Sequence, residues 1–192
     1  PPFRPDTAGV VTRQKQEVAC SSIAGPDTGV LLIVGQSNAT NEGGGLFTPR
    51  GNVFSWNVTD GKCYVAKDPL LGTTGTGGNF STRLADRLVA SGKFRRILIA
   101  NIAVGGSYVH DWTPAGRRHG RLLRAVKELN AGGHLPAITY MLWHQGEADA
   151  GIGTDADTYR DRFRSMVRAV RRTGLEAAYL VSGSTRWHFP PA

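Results

Sequence analysis

Four short apolar runs punctuate the chain, at Val30–Val34, Ile97–Val104, Ala137–Trp143 and Ala177–Val181. Each is rich in Ile, Leu, Val or Tyr and lacks clean alternation with polar residues, the pattern of strands covered on both faces. Between the runs the spacing becomes helical. In Thr82–Ala90, Leu84, Leu88 and Val89 fall on one side, and the segment stops at Gly92. From about Gly120 to Asn130, Leu122, Val126 and Leu129 align before a glycine-rich stop at Asn130-Ala-Gly-Gly133. Asp155–Arg172 groups Tyr159, Phe163, Met166, Val167 and Val170 and ends at Gly174. Apolar stripes closed by glycine are the mark of amphipathic helices. The alternation of strand and helix predicts an α/β fold, a three-layer α/β/α sandwich around a mostly parallel sheet.

One segment breaks the alternation. Val53–Val58 and Cys63–Ala66 flank Thr59-Asp-Gly-Lys62 and read as a small hairpin turning at Asp60-Gly61. It is expected as an insertion after the first strand, beside any site and outside the core. Residues 1–28, opening on Pro1-Pro-Phe-Arg-Pro5, read as an N-terminal arm, and residues 29–192 as one domain.

In open parallel sheets, ligands gather at the carboxyl ends of the strands. The four runs end on Gly35-Gln-Ser37, Val104-Gly-Gly-Ser107, His144-Gln-Gly-Glu147 and Ser182-Gly-Ser-Thr185. Small polar residues and glycines stand at all of these ends, so a site is expected there. A serine attacks a carbonyl when its hydroxyl is exposed, a base takes its proton and donors stabilise the oxyanion. Ser37, after the sharp turn that Gly35-Gln36 allows, is the candidate nucleophile. Gly72-Thr-Thr-Gly-Thr-Gly-Gly-Asn-Phe-Ser81 leads into the first helix, where free N–H groups could meet a substrate. It lacks the Gly-Lys-Ser/Thr ending of a phosphate loop. Gln145 can donate an amide N–H to an oxyanion. Glu147 and Asp149 are too close in sequence for a glycosidase pair, so Glu147 is read as a carboxylate bracing the loop.

Charge and cysteine content narrow the partners. The 192 residues hold 23 basic and 15 acidic side chains, a net charge of +8, yet the arginines interleave with carboxylates, as in Tyr159-Arg-Asp-Arg-Phe-Arg164. Without an aromatic–basic motif, solvated helix faces are expected and nucleic acid is not. An acidic polysaccharide is compatible with the charge. No apolar run is long enough to span a membrane. Cys20 and Cys63 lack metal-ligand spacing, and no metal is expected. If the protein is exported they pair; otherwise they are two thiols.

Taken together, Gly35-Gln-Ser-Asn38, Gly75–Asn79 before a helix, Gly105-Gly-Ser107 followed by Trp112, and Trp143-His-Gln-Gly-Glu-Ala-Asp149 resemble the SGNH (GDSL-type) hydrolases. The branch most similar is that of sialate O-acetylesterase-like carbohydrate esterases, in register from about Val30 to Thr185. The resemblance implies an SGNH hydrolase-like, flavodoxin-like sandwich that hydrolyses acetyl esters of carbohydrate without metal or cofactor, in a secreted or periplasmic protein. It implies Ser37 as nucleophile, with the N–H groups of Ser37 and Gly78 (or Gly77) and the Gln145 side chain as oxyanion donors. Gln36, Asn38, Gly77, Asn79, Gly105, Gly106, Ser107, His110 and Glu147 would line the substrate pocket. A noncatalytic carbohydrate-binding relative and a sugar O-acyltransferase are the alternatives on the same fold.

The family's general base comes from an Asp-x-x-His near the C-terminus, and no such spacing occurs in these residues. The expectation is a longer polypeptide that continues beyond Ala192 into that segment. A second chain supplying Asp and His, or another histidine, are the other readings. Of the five histidines, His188 is the best in-chain substitute. His110 could line the pocket mouth, His144 should face away from Gln145, and His119 and His134 read as helix-flank residues.

Overall fold

The computed structural model describes residues 15–130, 135 and 137–183. Its strands are β1 (Glu17–Val18), β2 (Thr28–Gly35), β3 (Val53–Trp56), β4 (Cys63–Val65), β5 (Arg96–Asn101), β6 (Tyr140–His144) and β7 (Ala178–Val181). Its helices are α1 (Phe80–Ala90), α2 (His119–Asn130), α3 (Glu147–Gly151) and α4 (Ala156–Arg171), with short 3-10 turns at Cys20–Ser22, Ser37–Ala39 and Val109–Trp112. The strands form one sheet in the order β1-β4-β3-β5-β2-β6-β7. From β3 to β7 all neighbours are parallel, while β4 and β1 are antiparallel additions at one edge.

Central position explains why the first apolar run does not alternate. Every residue of β2 is buried. Val30, Leu32 and Val34 pack with Leu122 and Val126 of α2 and Met166 and Val170 of α4. Leu31 and Ile33 face the opposite way, with Leu84, Ala85 and Leu88 of α1. Helices therefore cover both faces of the sheet, giving the three layers that the alternation predicts.

Element ends move for local reasons. Helix α1 begins at Phe80 because Asn79 caps it, its Oδ1 accepting from Ser81 N at 3.0 Å. Strand β6 begins at Tyr140, after the Thr139 hydroxyl has taken the place of a backbone acceptor for Val30 N at 2.9 Å. Strand β5 ends at Asn101, whose side chain turns to the Ala39 carbonyl at 2.7 Å and receives Ala103 N at 3.1 Å.

Two expectations about the periphery change. The hairpin exists, with Asp60 Oδ1 accepting from Lys62 N in its turn, but it is no insertion outside the core. Strand β3 pairs directly with β5, Val53 opposite Ile97, and Val53 and Trp56 are buried. The apolar side chains of β3 find cover only by extending the main sheet. Residues 15–28, read from sequence as part of an arm, are tied in. Strand β1 pairs with β4, Ile23 is fully buried, and Cys20 and Cys63 form a disulfide.

Replacing both Cys20 and Cys63 with serine releases a loop closed across 43 positions. By the chain-entropy relation the loss of stability is about 4 kcal/mol at most, and chemical denaturation of the two proteins side by side measures it.

Candidate active site

Three strand ends are stitched together at one residue. The Gly35 carbonyl accepts from Val104 N at 3.0 Å and from Ser107 Oγ at 3.1 Å, while Gln36 N donates to the His144 carbonyl at 3.0 Å. A side chain at position 35 is excluded, because its Cβ would lie 2.0 Å from the His144 oxygen. Directly beyond, the chain enters the 3-10 turn Ser37–Ala39, held by Ala39 N to Gln36 O at 2.8 Å and Thr40 N to Ser37 O at 2.9 Å. Ser37 is partly exposed, and neither its hydroxyl nor its N–H makes a hydrogen bond among the described residues.

Behind this turn lies a buried polar network. Gln145 Nε2 is within reach of Gln36 Oε1 (3.0 Å), the Ser107 carbonyl (3.2 Å) and Asp149 Oδ2 (2.6 Å). Asp149, 1% exposed, also accepts from Val109 N at 2.8 Å and from the Thr154 hydroxyl at 3.0 Å. Ser107 Oγ receives Trp112 Nε1 at 3.1 Å. The Tyr159 hydroxyl takes Trp143 Nε1 at 3.0 Å and donates to the Gln145 carbonyl at 2.9 Å. Burial pushes the Tyr159 pKa up to about 12, so it stays a neutral donor across the working range of most enzymes.

The expected oxyanion donors Gly77, Gly78 and Gln145 are otherwise engaged. Gly77 N donates to Asn41 O at 2.7 Å and Gly78 N to Gly43 O at 2.8 Å. The glycines there make room for another loop, not for substrate, since a Cβ at Gly78 would meet the Gly45 carbonyl at 1.9 Å. The two hydrogens of Gln145 Nε2 face three acceptors, which leaves none to donate outward. The cause is Asp149, a carboxylate that draws the amide nitrogen to itself. Gln36, Asn79 and Ser107 are likewise buried among protein partners and do not line an open pocket.

Other predicted residues face outward. Asn38, Gly105, Gly106 and His110 are exposed, and Glu147 sits at the rim with its side chain 10% exposed. Gly105 N donates to the Thr74 hydroxyl at 2.8 Å, whereas Gly106 N makes no hydrogen bond among the described residues. His144 faces away from Gln145, as strand geometry requires, and its Nε2 lies 3.7 Å from Glu147 Oε1. Beside Asn38 and His144 opens a cleft of about 520 Å³, lined by Phe80, Leu142, Leu180 and Val181. His119 Nδ1 contacts the Trp112 carbonyl. His134, His188 and the end of the fourth strand-end motif lie outside the described residues. Sequence reasoning missed the place of Asp149 in the network and of Asn101, whose position at a strand end was the available signal.

An open, mostly parallel sheet with helices on both faces, and a partly exposed serine just beyond its central strand, is an α/β architecture of the SGNH type. This chain belongs to the sialic acid-specific acetylesterase family of carbohydrate esterases, whose family model matches residues 27–181. Solved structures share the fold. An Arabidopsis thaliana protein superposes with a TM-score of 0.66 at 20% identity, covering 82% of this chain and 74% of that one. A carbohydrate acetylesterase from Xanthomonas citri gives a TM-score of 0.56 at 21% identity, over 80% of this chain and 40% of that one. Among curated protein sequences no relative matches this chain. Family membership supports carbohydrate acetylesterase activity in general terms.

Asp149→Ala takes the acceptor from the buried Val109 N and the part-buried Thr154 hydroxyl, while Gln145 Nε2 keeps Gln36 and Ser107. It should cost about 3 kcal/mol, since each unsatisfied buried donor is worth about 1–3 kcal/mol. Thermal and urea unfolding of the variant measure that loss.

Proposed function

We propose that this chain carries the nucleophile of a serine esterase that removes O-acetyl groups from carbohydrate. Ser37 Oγ attacks the acetyl carbonyl carbon as its proton passes to a base. The tetrahedral intermediate collapses to acetyl-Ser37, and the protonated sugar hydroxyl leaves. Water, deprotonated by the same base, attacks the acetyl group, releasing acetate and returning the proton to Ser37. The base is the part that the resemblance assigns to an Asp-x-x-His segment, from continued chain or from a second one.

The observation that carries this reading is the state of Ser37. It stands at the carboxyl end of the fully buried strand β2, with hydroxyl and N–H both without a hydrogen-bond partner among the described residues. Partly exposed and left unbonded by its neighbours, this hydroxyl is open to a substrate. For the oxyanion, the N–H groups of Ser37 and Gly106 replace the engaged Gly78 and Gln145. Gly106 belongs to the turn fastened to Gly35 through Val104 and Ser107. Donors held by a rigid frame stabilise developing charge without reorganising. The cleft beside the Ser37 turn supplies the surface for the sugar, and His110 stands at the exposed rim of the next loop. The Cys20–Cys63 disulfide fits export to an oxidising compartment, secreted or periplasmic. No helix among the described residues is long and apolar enough to cross a membrane.

With the natural full-length polypeptide, Ser37→Ala should lower hydrolysis of a chromogenic acetyl ester by at least about 10³-fold while the melting temperature holds, as for loss of a triad nucleophile. Turnover at the wild-type rate by that variant refutes the assignment. Acetyl transfer to added sugar in preference to water would redirect it to an acyltransferase.

A further inference from the structure

The residues on either side of Ser37 both reach across to the turn that opens α3. Gln36 Oε1 accepts from Gly146 N at 3.2 Å and Ala148 N at 3.0 Å, in addition to Gln145 Nε2. Asn38 Nδ2 donates to Glu147 Oε1 at 2.5 Å. Four consecutive residues, 145–148, are thus gripped by the two side chains that flank one serine. The chemistry differs on the two sides. Gln36 is 4% exposed, and its oxygen closes N–H groups that open a helix, whereas Asn38 is exposed and grips a carboxylate nine-tenths buried. Ser37 itself makes no side-chain bond among the described residues, so its position comes from its neighbours.

We propose that Asn38 and Glu147 are positioning residues that, with Gln36, clamp the Ser37 turn to the start of α3 and so hold Oγ in line with its oxyanion donors. The inference rests on Ser37 being the nucleophile. A 3-10 turn of three residues with two backbone bonds has little rigidity of its own. A displacement of about 1 Å at a reacting atom can cost about 10²-fold in rate. The outer jaw is the informative one. Since Asn38 is exposed, its removal opens no cavity in the core, though it takes the donor from a carboxylate nine-tenths buried, which Glu147→Gln then tests as a neutral acceptor. The Glu147 carboxylate is shared, its Oε1 also lying 3.7 Å from His144 Nε2. The bond from Asn38 needs only an acceptor oxygen, which an amide provides equally well.

The test uses Asn38→Ala, Glu147→Ala and Glu147→Gln in the natural full-length polypeptide. Hydrogen exchange over residues 35–40 is measured beside kcat and KM for a chromogenic acetyl ester. Asn38→Ala and Glu147→Ala should speed exchange in that peptide at least about fivefold. They should also lower kcat about tenfold, with KM within about twofold of wild type. Glu147→Gln should recover most of both. Unchanged exchange in Asn38→Ala overturns the clamp whether or not turnover is measurable. Faster exchange with undiminished kcat overturns its role in positioning, as does a Glu147→Gln variant no better than Glu147→Ala. Failure of the nucleophile reading is separate and is seen as activity surviving Ser37→Ala, while the exchange result still reports on the clamp.

Discussion

The organisation of the strand ends depends on one buried carboxylate. Asp149 takes its hydrogens from Val109 N after β5, Gln145 after β6 and Thr154 before α4. By drawing in the Gln145 amide it aligns that side chain with Gln36 and the Ser107 carbonyl, joining the ends of β2, β5 and β6 through side chains as well as through Gly35. A densely bonded polar cluster of this kind favours one arrangement because alternatives leave more buried groups unpaired. The exposed surface around Ser37 can then hold unbonded groups, since its frame does not depend on them.

Much of the architecture was legible from periodicity. Continuous apolar runs such as Val30–Val34 mark strands buried on both faces, and the stripes ending at Gly92 and Gly174 mark helices. Boundaries shifted where a side chain stood in for backbone, as Thr139 and Asn79 do. The first depends on a partner distant in sequence, Val30 lying 109 residues from Thr139, whereas the Asn79 cap is local, two residues before Ser81. The hairpin was visible as a hairpin, but its parallel pairing with β5 left no local mark. Residues 15–28 look like a tail because the attachment of Cys20 to Cys63 is non-local.

The site divides along the same line. Its location followed from small residues at the strand ends, and the serine, the paired glycines at 105–106 and the Gln-Gly-Glu turn all come together there. Their roles depended on which groups were already engaged, and composition does not record that. A glycine-rich loop before a helix offers free N–H groups in principle, yet those of Gly77 and Gly78 bond the neighbouring loop. A glutamine at a strand end can donate outward in principle, yet an aspartate four residues later turns its nitrogen inward.

The bonding between those two loops also matters for redesign. Asn41, Gly43 and Gly45 fit against Gly75, Gly77 and Gly78, backbone to backbone, and Asp68 fastens Phe47 N and Asn79 N from one oxygen, both at 3.0 Å. The rim on this side is therefore a single interlocked piece. Grafting residues 41–47 from a relative without residues 68–79 would pair mismatched surfaces, so diversity on this rim has to be exchanged as a matched cassette.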